Sequence, residues 1–431
     1  MSILKSVQSQ WLGDVERALK FAQDEVGESA ASTRNALFAL WLVVDKAPSH
    51  IRDLYRQFEE DDLANAAAGL TAKDLFKDPP LAVGSSAERK KLLFALAVHI
   101  RVLEAMLHEV AGEDPVRHES QCLAKYEDDE AFILLRNPRH RVAVTKQSFR
   151  RRGLRHSRIF PRRIKEHRVT LVLYDDPRGR NRAQSQREVN FGTGLFKGLK
   201  FDLGHDDGGF FVRGVEVRDQ ILTIRDHIAA ASRSQCHGVI YPELTIASET
   251  LQEICRGIGE GDWLCNVSLV VAGSRHEEIN SQRFNICSVL SGYGEEVAQH
   301  RKLFQFTDGS SEPESIELGD ELQVLVLPDA IFAFGICLDF CNTSEDPPYA
   351  DLDVDYVLVP SCGNERTMLG HIQRSAEYME KQKTRTLVVQ QFYAEAPPPD
   401  APLGYVLARC DGQALLATEL ERRESWGIYI I

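Results

Sequence analysis

The chain has 431 residues and a formal net charge of −13, with 51 lysines and arginines against 64 aspartates and glutamates. Hydrophobic residues make up 43% and charged residues 27%, an ordinary globular composition that excludes a disordered chain or a small disulfide-stapled peptide. The length predicts two or three domains. The acidic balance opposes indiscriminate binding of nucleic acid or anionic lipid by the molecule as a whole.

Cysteine usage and the amino terminus predict a reducing, intracellular setting. The nine cysteines are an odd number and include no Cys-x-x-Cys pair, which is typical of a reducing compartment. The amino terminus has no apolar core of signal-peptide length, and the longest uncharged apolar run, 36–44, is much shorter than a membrane span. We therefore expect a cytoplasmic protein that makes no membrane contact.

Residues 1–115 are predicted to form a small all-α domain, a helical bundle. Two segments, 37–44 and 51–58, carry apolar residues at helical spacing on either side of a break at Pro48. The clearest helix starts after a Ser85-to-Glu88 capping sequence and ends before Pro115. Its apolar face consists of Leu92, Leu96, Ile100, Leu103, Leu107 and Val110.

A strongly basic segment follows the helices. Residues 136–168 contain thirteen arginines and lysines but one acid, Glu166, for a local charge of +12, so the remainder carries −25. We predict a basic connector at 116–167. It either packs against this protein's own acidic surface or binds a partner, a protein or a nucleic acid whose phosphates pair with the arginines and whose bases stack on Phe149 and Phe160.

From about residue 168 the pattern changes to alternating strands and helices, which predicts an α/β domain over 168–431. The first predicted strand is 169–173, and a helix with its apolar face over 217–228 leads to a second strand at 238–241. The polar, glycine-rich segment 176–212 is predicted to be a long loop. Further strands are expected at 268–272, 285–290, 321–327, 331–336 and 356–360, with helices near 247–258 and 366–384.

Three predicted strand ends carry reactive side chains. Glu243 directly follows an apolar strand, Lys302 lies at an apolar boundary, and Cys337 stands at a strand-to-turn junction. Each alone has an ordinary structural explanation, because such carboxylates cap helices, lysines are exposed and cysteines pack in cores. Together they supply a thiol nucleophile, a base and a cation, the groups that covalent attack on an unreactive amide or nitrile carbon requires.

The order Glu, Lys, Cys and its flanking text resemble the catalytic signature of the nitrilase, or carbon–nitrogen hydrolase, superfamily. The segments that agree are 238–243, 269–273, 283–285, 335–339 and 355–361. The resemblance covers about residues 168–420. It implies an α-β-β-α sandwich of two sheets, a homo-oligomer, and no metal or organic cofactor. It also implies Cys337 as nucleophile, Glu243 as general base, and Lys302 with the Leu338 backbone N–H as oxyanion stabilisers.

Relatives in that superfamily commonly carry a second glutamate between the lysine and the cysteine. Glu314 is favoured for this role because Glu-Ser followed by Gly-Asp resembles the family's sequence pattern, and Glu312 is the second choice. The competing interpretation is a solvated acidic loop.

The turn after Cys337 departs from the amidase pattern. Amidase-like relatives often have an arginine where this chain has Cys341, which leaves the substrate open. Cys341 and Cys362 are expected to line the substrate pocket with Leu338. A metal site built from these cysteines and His371 is disfavoured, because no Cys-x-x-Cys or paired-His spacing accompanies them.

These observations predict a thiol-dependent hydrolase that cleaves the carbon–nitrogen bond of a small linear amide through a thioester. Nitrile hydrolysis and N-acyl transfer are variants on the same three residues. The alternative is a nitrilase-like scaffold or sensor, in which the helical and basic amino-terminal part binds a protein or a nucleic acid through 136–168. The intact reactive set favours chemistry.

Overall fold

A computed structural model describes the protein. The described residues are 2–27, 29–71, 74–76, 85–111, 118–136, 148–177, 189–307, 311–342, 347–393, 398, 400–409 and 421–431. The chain divides into two compact units, Met1–Arg163 and Ile164–Ile431. Gly112 and Pro115, the predicted end of the long helix, lie outside the described residues.

The first unit is mainly helical, as its apolar spacing predicts. Trp41, Tyr55 and Leu96 are fully buried in its core. The second helix starts at a reciprocal capping box between Ser29 and Ser32, which satisfies backbone donors at its first turn. The helices are α1 (Ser2–Glu25), α2 (Ala30–Asp45), α3 (Ser49–Tyr55), α4 (Glu60–Ala67), α5 (Ser86–Ala111) and α6 (Phe149–Arg152).

A three-stranded antiparallel sheet completes this unit, with β1 (Leu123–Tyr126), β2 (Asp129–Leu135) and β3 (Ser157–Pro161) in that order. The predicted connector at 116–167 is therefore corrected. Its described residues up to Arg163 belong to the first unit, and the boundary falls at 163/164 rather than at 115 and 167. The physical reason is that Ala131 and Ile133 of β2 and Ile159 of β3 are buried in the same core as the helices.

The aromatic residues of the basic segment do not present their rings for base stacking. Phe149 and Phe160 are 3% and 0% exposed. Arg152 is buried too, and its guanidinium donates to the backbone carbonyls of Tyr55 and Phe58. These three residues are therefore internal, whereas Arg163, Lys165 and Arg168 are exposed and residues 137–147 lie outside the described range.

Glu104 on α5 anchors the segment that leads into β3. Its carboxylate is fully buried and accepts hydrogen bonds of 2.9 Å from the backbone N–H groups of Arg155, His156 and Ser157. The guanidinium of Arg101 donates to the same carboxylate at 3.0 Å. Removing the carboxylate would leave these four buried donors without an acceptor, which is costly in a protein interior. Glu104 is therefore expected to stabilise the unit.

The second unit contains two sheets. The six-stranded sheet has the order β12-β11-β10-β9-β6-β19, and the eight-stranded sheet has the order β18-β17-β16-β15-β14-β13-β5-β4. The strands are β4 (Arg163–Ile164), β5 (His167–Leu173), β6 (Asn190–Gly194), β7 (Lys200–Asp206), β8 (Gly209–Glu216), β9 (Gly238–Ile240), β10 (Leu269–Ile279), β11 (Gln282–Ser291), β12 (Glu296–Arg301), β13 (Glu321–Val326), β14 (Ile331–Phe334), β15 (Tyr356–Cys362), β16 (Arg385–Gln391), β17 (Gly404–Arg409), β18 (Glu421–Arg422) and β19 (Trp426–Ile430).

The two sheets face each other across an apolar core. Side chains of β9, β10 and β11 pack there with side chains of β13 to β17. Helices α7 (Gln220–Arg233) and α8 (Ser248–Gly259) cover the outer face of the six-stranded sheet, where Ile228 and Ile254 are buried. Helices α9 (Leu338–Cys341) and α10 (Glu365–Gln382) meet through Phe340 and Tyr378 beside the eight-stranded sheet. The predicted α-β-β-α sandwich is confirmed.

The predicted strands and helices of this unit are present, with shifted ends, but the long loop at 176–212 is wrong. Of its described residues, 190–194 form β6 inside the six-stranded sheet, and 200–216 form the antiparallel hairpin β7–β8. β6 is short and glycine-rich, so its propensity is weak and its pairing with β9 and β19 decides its conformation. Within the described residues, no helix has the length and apolarity that crossing a membrane requires.

Replacing Glu104 with alanine is expected to destabilise the first unit by about 3–5 kcal/mol, because three backbone donors and Arg101 lose a buried acceptor. The exposed Glu109, on the same helix, is the matched control, and Glu109→Ala is expected to change stability by less than about 0.5 kcal/mol. Urea unfolding followed by circular dichroism measures both. Equal losses in the two variants would contradict the anchoring role.

Candidate active site

The reactive side chains follow strands that end at the same edge of their sheets. Glu243 lies three residues beyond β9, and Lys302 directly follows β12. β9 runs parallel to β10, and β12 has the same direction because two antiparallel pairings separate it from β10. In the other sheet, Cys337 follows β14, which runs parallel to β15 and its terminal residue Cys362.

Cys337 occupies a constrained turn. Its backbone has φ 46° and ψ −103°, a conformation that residues with a side chain rarely adopt and that costs on the order of 1–3 kcal/mol. The turn is held from outside, because the Cys337 N–H donates to the Pro360 carbonyl at 2.9 Å. Leu338 is the first residue of α9, so its N–H has no acceptor within that helix. Such a turn presents the thiol beside an available backbone donor.

A bulge in β10 shapes the loop that carries Glu243. Gly273 has φ 61°, and a Cβ at this position would lie 2.3 Å from the Pro242 carbonyl oxygen. Only glycine allows this approach without displacing the loop. The next residue, Ser274, accepts a 3.1 Å hydrogen bond from the Leu244 N–H through its hydroxyl. Local sequence in β10 therefore fixes the position of Glu243.

Lys302 lies between two buried carboxylates. Its Nζ is 2.8 Å from Glu243 Oε1 and 2.7 Å from Glu314 Oε2, and the three residues are 1–2% exposed. Asn285 donates through Nδ2 to both glutamates, at 3.1 and 2.9 Å. The structure thus brings Glu314 to the lysine, as the resemblance implies. Glu312 lies elsewhere, paired with the half-exposed His205 at 2.7 Å.

The charges in this cluster depend on one another. Burial raises the pKa of Glu243 above its ordinary value, and the neighbouring charge of Glu314 adds to the rise. Burial opposes the charge of Glu314 as well, but Lys302 and His276 outweigh it and lower the pKa of that carboxyl. For Lys302, the two carboxylates overcome the cost of burial and hold its pKa well above the usual value. Lys302 therefore pairs with two carboxyl groups whose pKa values are shifted in opposite directions, upward for Glu243 and downward for Glu314.

The Cys337 thiol is in contact with this cluster. Its Sγ is 3.5 Å from the Cys362 carbonyl oxygen, and the Cys362 N–H donates to Glu243 Oε2 at 2.9 Å, so the main chain of Cys362 lies between the thiol and the glutamate. The neighbouring Cys341 thiol, burial and the Glu243 charge raise the pKa of Cys337 well above the ordinary value of a thiol. A base is then needed to generate the nucleophile, and Glu243 is in position to supply it.

The three residues expected to line the pocket take different positions. Cys341 is buried at the end of α9, and its backbone N–H lies 3.4 Å from the Cys337 carbonyl oxygen, to which it donates. Cys362 acts through its main chain, because its N–H donates to Glu243 Oε2 at 2.9 Å while its carbonyl oxygen accepts from Cys337. Leu338 contributes the first turn of α9.

Asp339 ties the lysine segment to the cysteine turn. Its Oδ1 accepts from the backbone N–H groups of Leu303 and Phe304 at 2.8 and 3.0 Å. Its Oδ2 accepts from the Ile336 N–H at 2.9 Å and lies 2.8 Å from His300 Nε2. Because Leu303 follows Lys302 and Ile336 precedes Cys337, one fully buried carboxylate fixes the spacing of the two reactive residues.

Three contributors to the site were not among the predicted site residues. Asn285 and Asp339 stand inside the segments that carry the resemblance, so their motif positions were the available signal. His276, whose Nε2 lies 2.7 Å from Glu314 Oε1, follows the predicted strand 268–272 and has no sequence pattern that marks it. Within the described residues, no group of three or more His, Cys, Asp and Glu side chains is arranged to hold a metal ion.

The fold and site define a four-layer sandwich with a buried glutamate–lysine–cysteine cluster. No family model matches the chain, and no curated protein matches it. Among solved structures, it is similar to an amidase from Nesterenkonia sp., at 15% identity over 51% of this chain and 82% of that chain, with a TM-score of 0.37.

A mutant of the Nesterenkonia AN1 amidase from the nitrilase superfamily is similar at 16% identity, over 57% of this chain and 90% of that chain, with a TM-score of 0.40. The glutamine-dependent NAD+ synthetase from Acinetobacter baumannii has 13% identity, over 56% and 45% of the two chains, and also a TM-score of 0.40. At these scores the likenesses carry no argument about substrate or mechanism.

Replacing Lys302 with methionine is expected to lower the free energy of unfolding by about 3–5 kcal/mol at pH 8, because two buried carboxylates lose their cation. Burial and mutual repulsion then raise both carboxyl pKa values in the folded state above their unfolded values near ~4.3. The folded protein binds more protons than the unfolded chain, so the loss grows as pH rises and shrinks toward pH 5.

Urea unfolding at pH 5 and pH 8 measures this dependence. The exposed Lys197 provides the control, and Lys197→Met is expected to leave stability nearly unchanged at both values. A Lys302→Met loss that does not vary with pH would show that packing, not charge, is what the lysine supplies.

Proposed function

We propose that this protein is a thiol-dependent hydrolase that cleaves the carbon–nitrogen bond of a small linear amide. The observation that carries the proposal is the buried cluster in which Cys362 contacts the Cys337 thiol through its carbonyl oxygen and Glu243 through its N–H, while Glu243 Oε1 is 2.8 Å from Lys302 Nζ. Desolvated acid, base and nucleophile groups at one sheet edge are costly to fold, and such arrangements concentrate at catalytic sites.

The proposed reaction starts with proton transfer from Cys337 to Glu243. The thiolate sulfur attacks the amide carbon, and the carbonyl oxygen takes the electron pair of its π bond. Lys302 and the Leu338 N–H stabilise this oxyanion, at roughly 3–4 kcal/mol for each donor. The tetrahedral intermediate collapses as the carbon–nitrogen bond breaks, and Glu243 returns its proton to the leaving ammonia or amine. A thioester on Cys337 remains.

Hydrolysis of the thioester uses the same carboxylate. Glu243 removes a proton from water, the hydroxyl oxygen attacks the thioester carbon, and the carbon–sulfur bond breaks. The sulfur recovers the proton from Glu243, which leaves a carboxylic acid and the resting enzyme. A nitrile as substrate, or an amine in place of water, would use the same groups. Glu314 is proposed to hold Lys302 through both half-reactions.

The alternative role, a scaffold or sensor that binds a partner through 136–168, has less support. Three residues of this segment are buried inside the first unit and are not exposed to a partner: Phe149, Phe160 and Arg152. The active-site cluster retains its nucleophile and both of its charged partners. Chemistry is therefore the proposal we favour.

Incubation with a panel of small amides and nitriles, followed by intact-mass measurement, tests the proposal. The wild type is expected to show an acyl adduct that Cys337→Ala abolishes, together with release of ammonia or amine. Cys255, a half-buried thiol on α8 outside the site, provides the control, and Cys255→Ala should keep the adduct. Turnover that persists in Cys337→Ala, or a panel without any adduct, would contradict the hydrolase.

The pH dependence of kcat/KM gives a second test. Glu243 must be ionised to act as a base, and burial raises its pKa, so activity should fall on the acid side at a pH above the ordinary glutamate value of ~4.3. Glu243→Gln should lower kcat by about two to four orders of magnitude. An acid limb at or below the ordinary value would argue against Glu243 as the base.

A further inference from the structure

His276 connects the second glutamate to the hairpin β7–β8. It lies on β10, and its side chain is 1% exposed. Its Nδ1 accepts a 2.8 Å hydrogen bond from the Val212 N–H of β8, and its Nε2 is 2.7 Å from Glu314 Oε1. One imidazole therefore spans the distance between hairpin backbone and active-site carboxylate.

These two contacts determine where the imidazole proton resides. A backbone N–H can only donate, so Nδ1 must present its lone pair to Val212. In a neutral ring the proton then lies on Nε2, which donates to the Glu314 carboxylate. Protonation of Nδ1 would place two N–H groups against each other. The hairpin thus selects the tautomer that binds the glutamate.

The hairpin also holds the main chain on both sides of Glu314. The Phe210 N–H donates to the Pro313 carbonyl at 3.0 Å, and the Ser315 N–H donates to the Phe210 carbonyl at 2.7 Å. Gly209 makes this approach possible, because it has φ 121° and a Cβ there would lie 1.9 Å from the Pro313 carbonyl oxygen. Glu314 is consequently fixed by the hairpin through its backbone and, through His276, at its carboxylate.

We propose that His276 is a positioning residue that sets the orientation of Glu314 and thereby of Lys302. With Oε1 engaged by the imidazole, Oε2 is directed to the lysine Nζ at 2.7 Å. Asn285 also donates to Oε1, but it is shared with Glu243. His276, in contrast, contacts no other carboxylate of the cluster and connects Glu314 to the hairpin β7–β8. The expected change in kcat rests on the proposed hydrolase function. The expected tautomer of His276 and orientation of Glu314 do not.

Two variants of His276 separate its donor function toward Glu314 from its acceptor function toward Val212. In His276→Gln the side-chain amide can place an N–H where Nε2 lies, whereas in His276→Asn the shorter amide can accept from Val212 but does not reach Glu314. We expect His276→Gln to retain kcat within about threefold. His276→Asn should lower kcat by about 10- to 100-fold with little change in KM, because Lys302 is misplaced in the transition state rather than in substrate binding.

The exposed His205 of β7 supplies matched controls, and both of its variants, His205→Gln and His205→Asn, should leave kcat unchanged. Equal losses of kcat in the two His276 variants, or losses confined to KM, would overturn the positioning role. A purely structural histidine would give that pattern together with parallel losses of thermal stability.

A measurement independent of activity tests the tautomer. In protein labelled with ¹⁵N-histidine, the resonance that disappears in His276→Gln is expected to show a protonated Nε2 and an unprotonated Nδ1. A protonated Nδ1, as the other tautomer or an imidazolium, would overturn the inference even in an active enzyme. If no substrate is turned over, the proposed function fails, and the ¹⁵N spectrum still decides the role of His276.

Discussion

The candidate active site depends on one buried ammonium that neutralises two carboxylates. Lys302 sits between Glu243 and Glu314 at hydrogen-bond distance, and none of the three is more than 2% exposed. Desolvation penalises every one of these charges, so the cluster is tolerable only when complete. Asn285, His276 and the Cys362 N–H add donors to the carboxylates and reduce the cost further. The surrounding loops are positioned to supply these donors.

That arrangement requires elements far apart in the chain to be held at fixed separations. Asp339 does this for the lysine and cysteine segments by accepting backbone donors from both. The bulge at Gly273 does it for Glu243, and the hairpin β7–β8 does it for Glu314. Each support acts on the backbone beside a reactive residue, and a site proposed to carry out covalent chemistry tolerates little displacement.

The first unit resolves its charge differently. Some of its arginines are buried: Arg101 on α5 pairs with Glu104, and Arg152 of the basic segment donates to the Tyr55 carbonyl oxygen, so this part of the segment belongs to a folded unit. The overall charge of −13 does not describe this region, where Arg163 is exposed while Arg152 and Arg158 are buried. Arginine suits such positions, since its planar fork satisfies several acceptors at once.

The sequence by itself predicted the change from a helical to an α/β region, half of the strands of the two large sheets, and Glu243, Lys302 and Cys337 as the candidate reactive set. Those features follow from local periodicity and from short motifs at strand ends. It missed the hairpin β7–β8 and the sheet strands β4, β6, β12 and β16 to β19. Of these, β6 is short and glycine-rich, so its partners specify it rather than its propensity. Likewise, the choice of Glu314 over Glu312 became definite only in three dimensions.

Only the tertiary structure decided what surrounds the reactive set. His276 and Glu314 are 38 residues apart, and Val212 lies a further 64 residues before His276. No periodicity or spacing relates such positions. They meet because sheet pairing and the hairpin bring separate strand ends to one edge, where buried charges select the donors that can satisfy them.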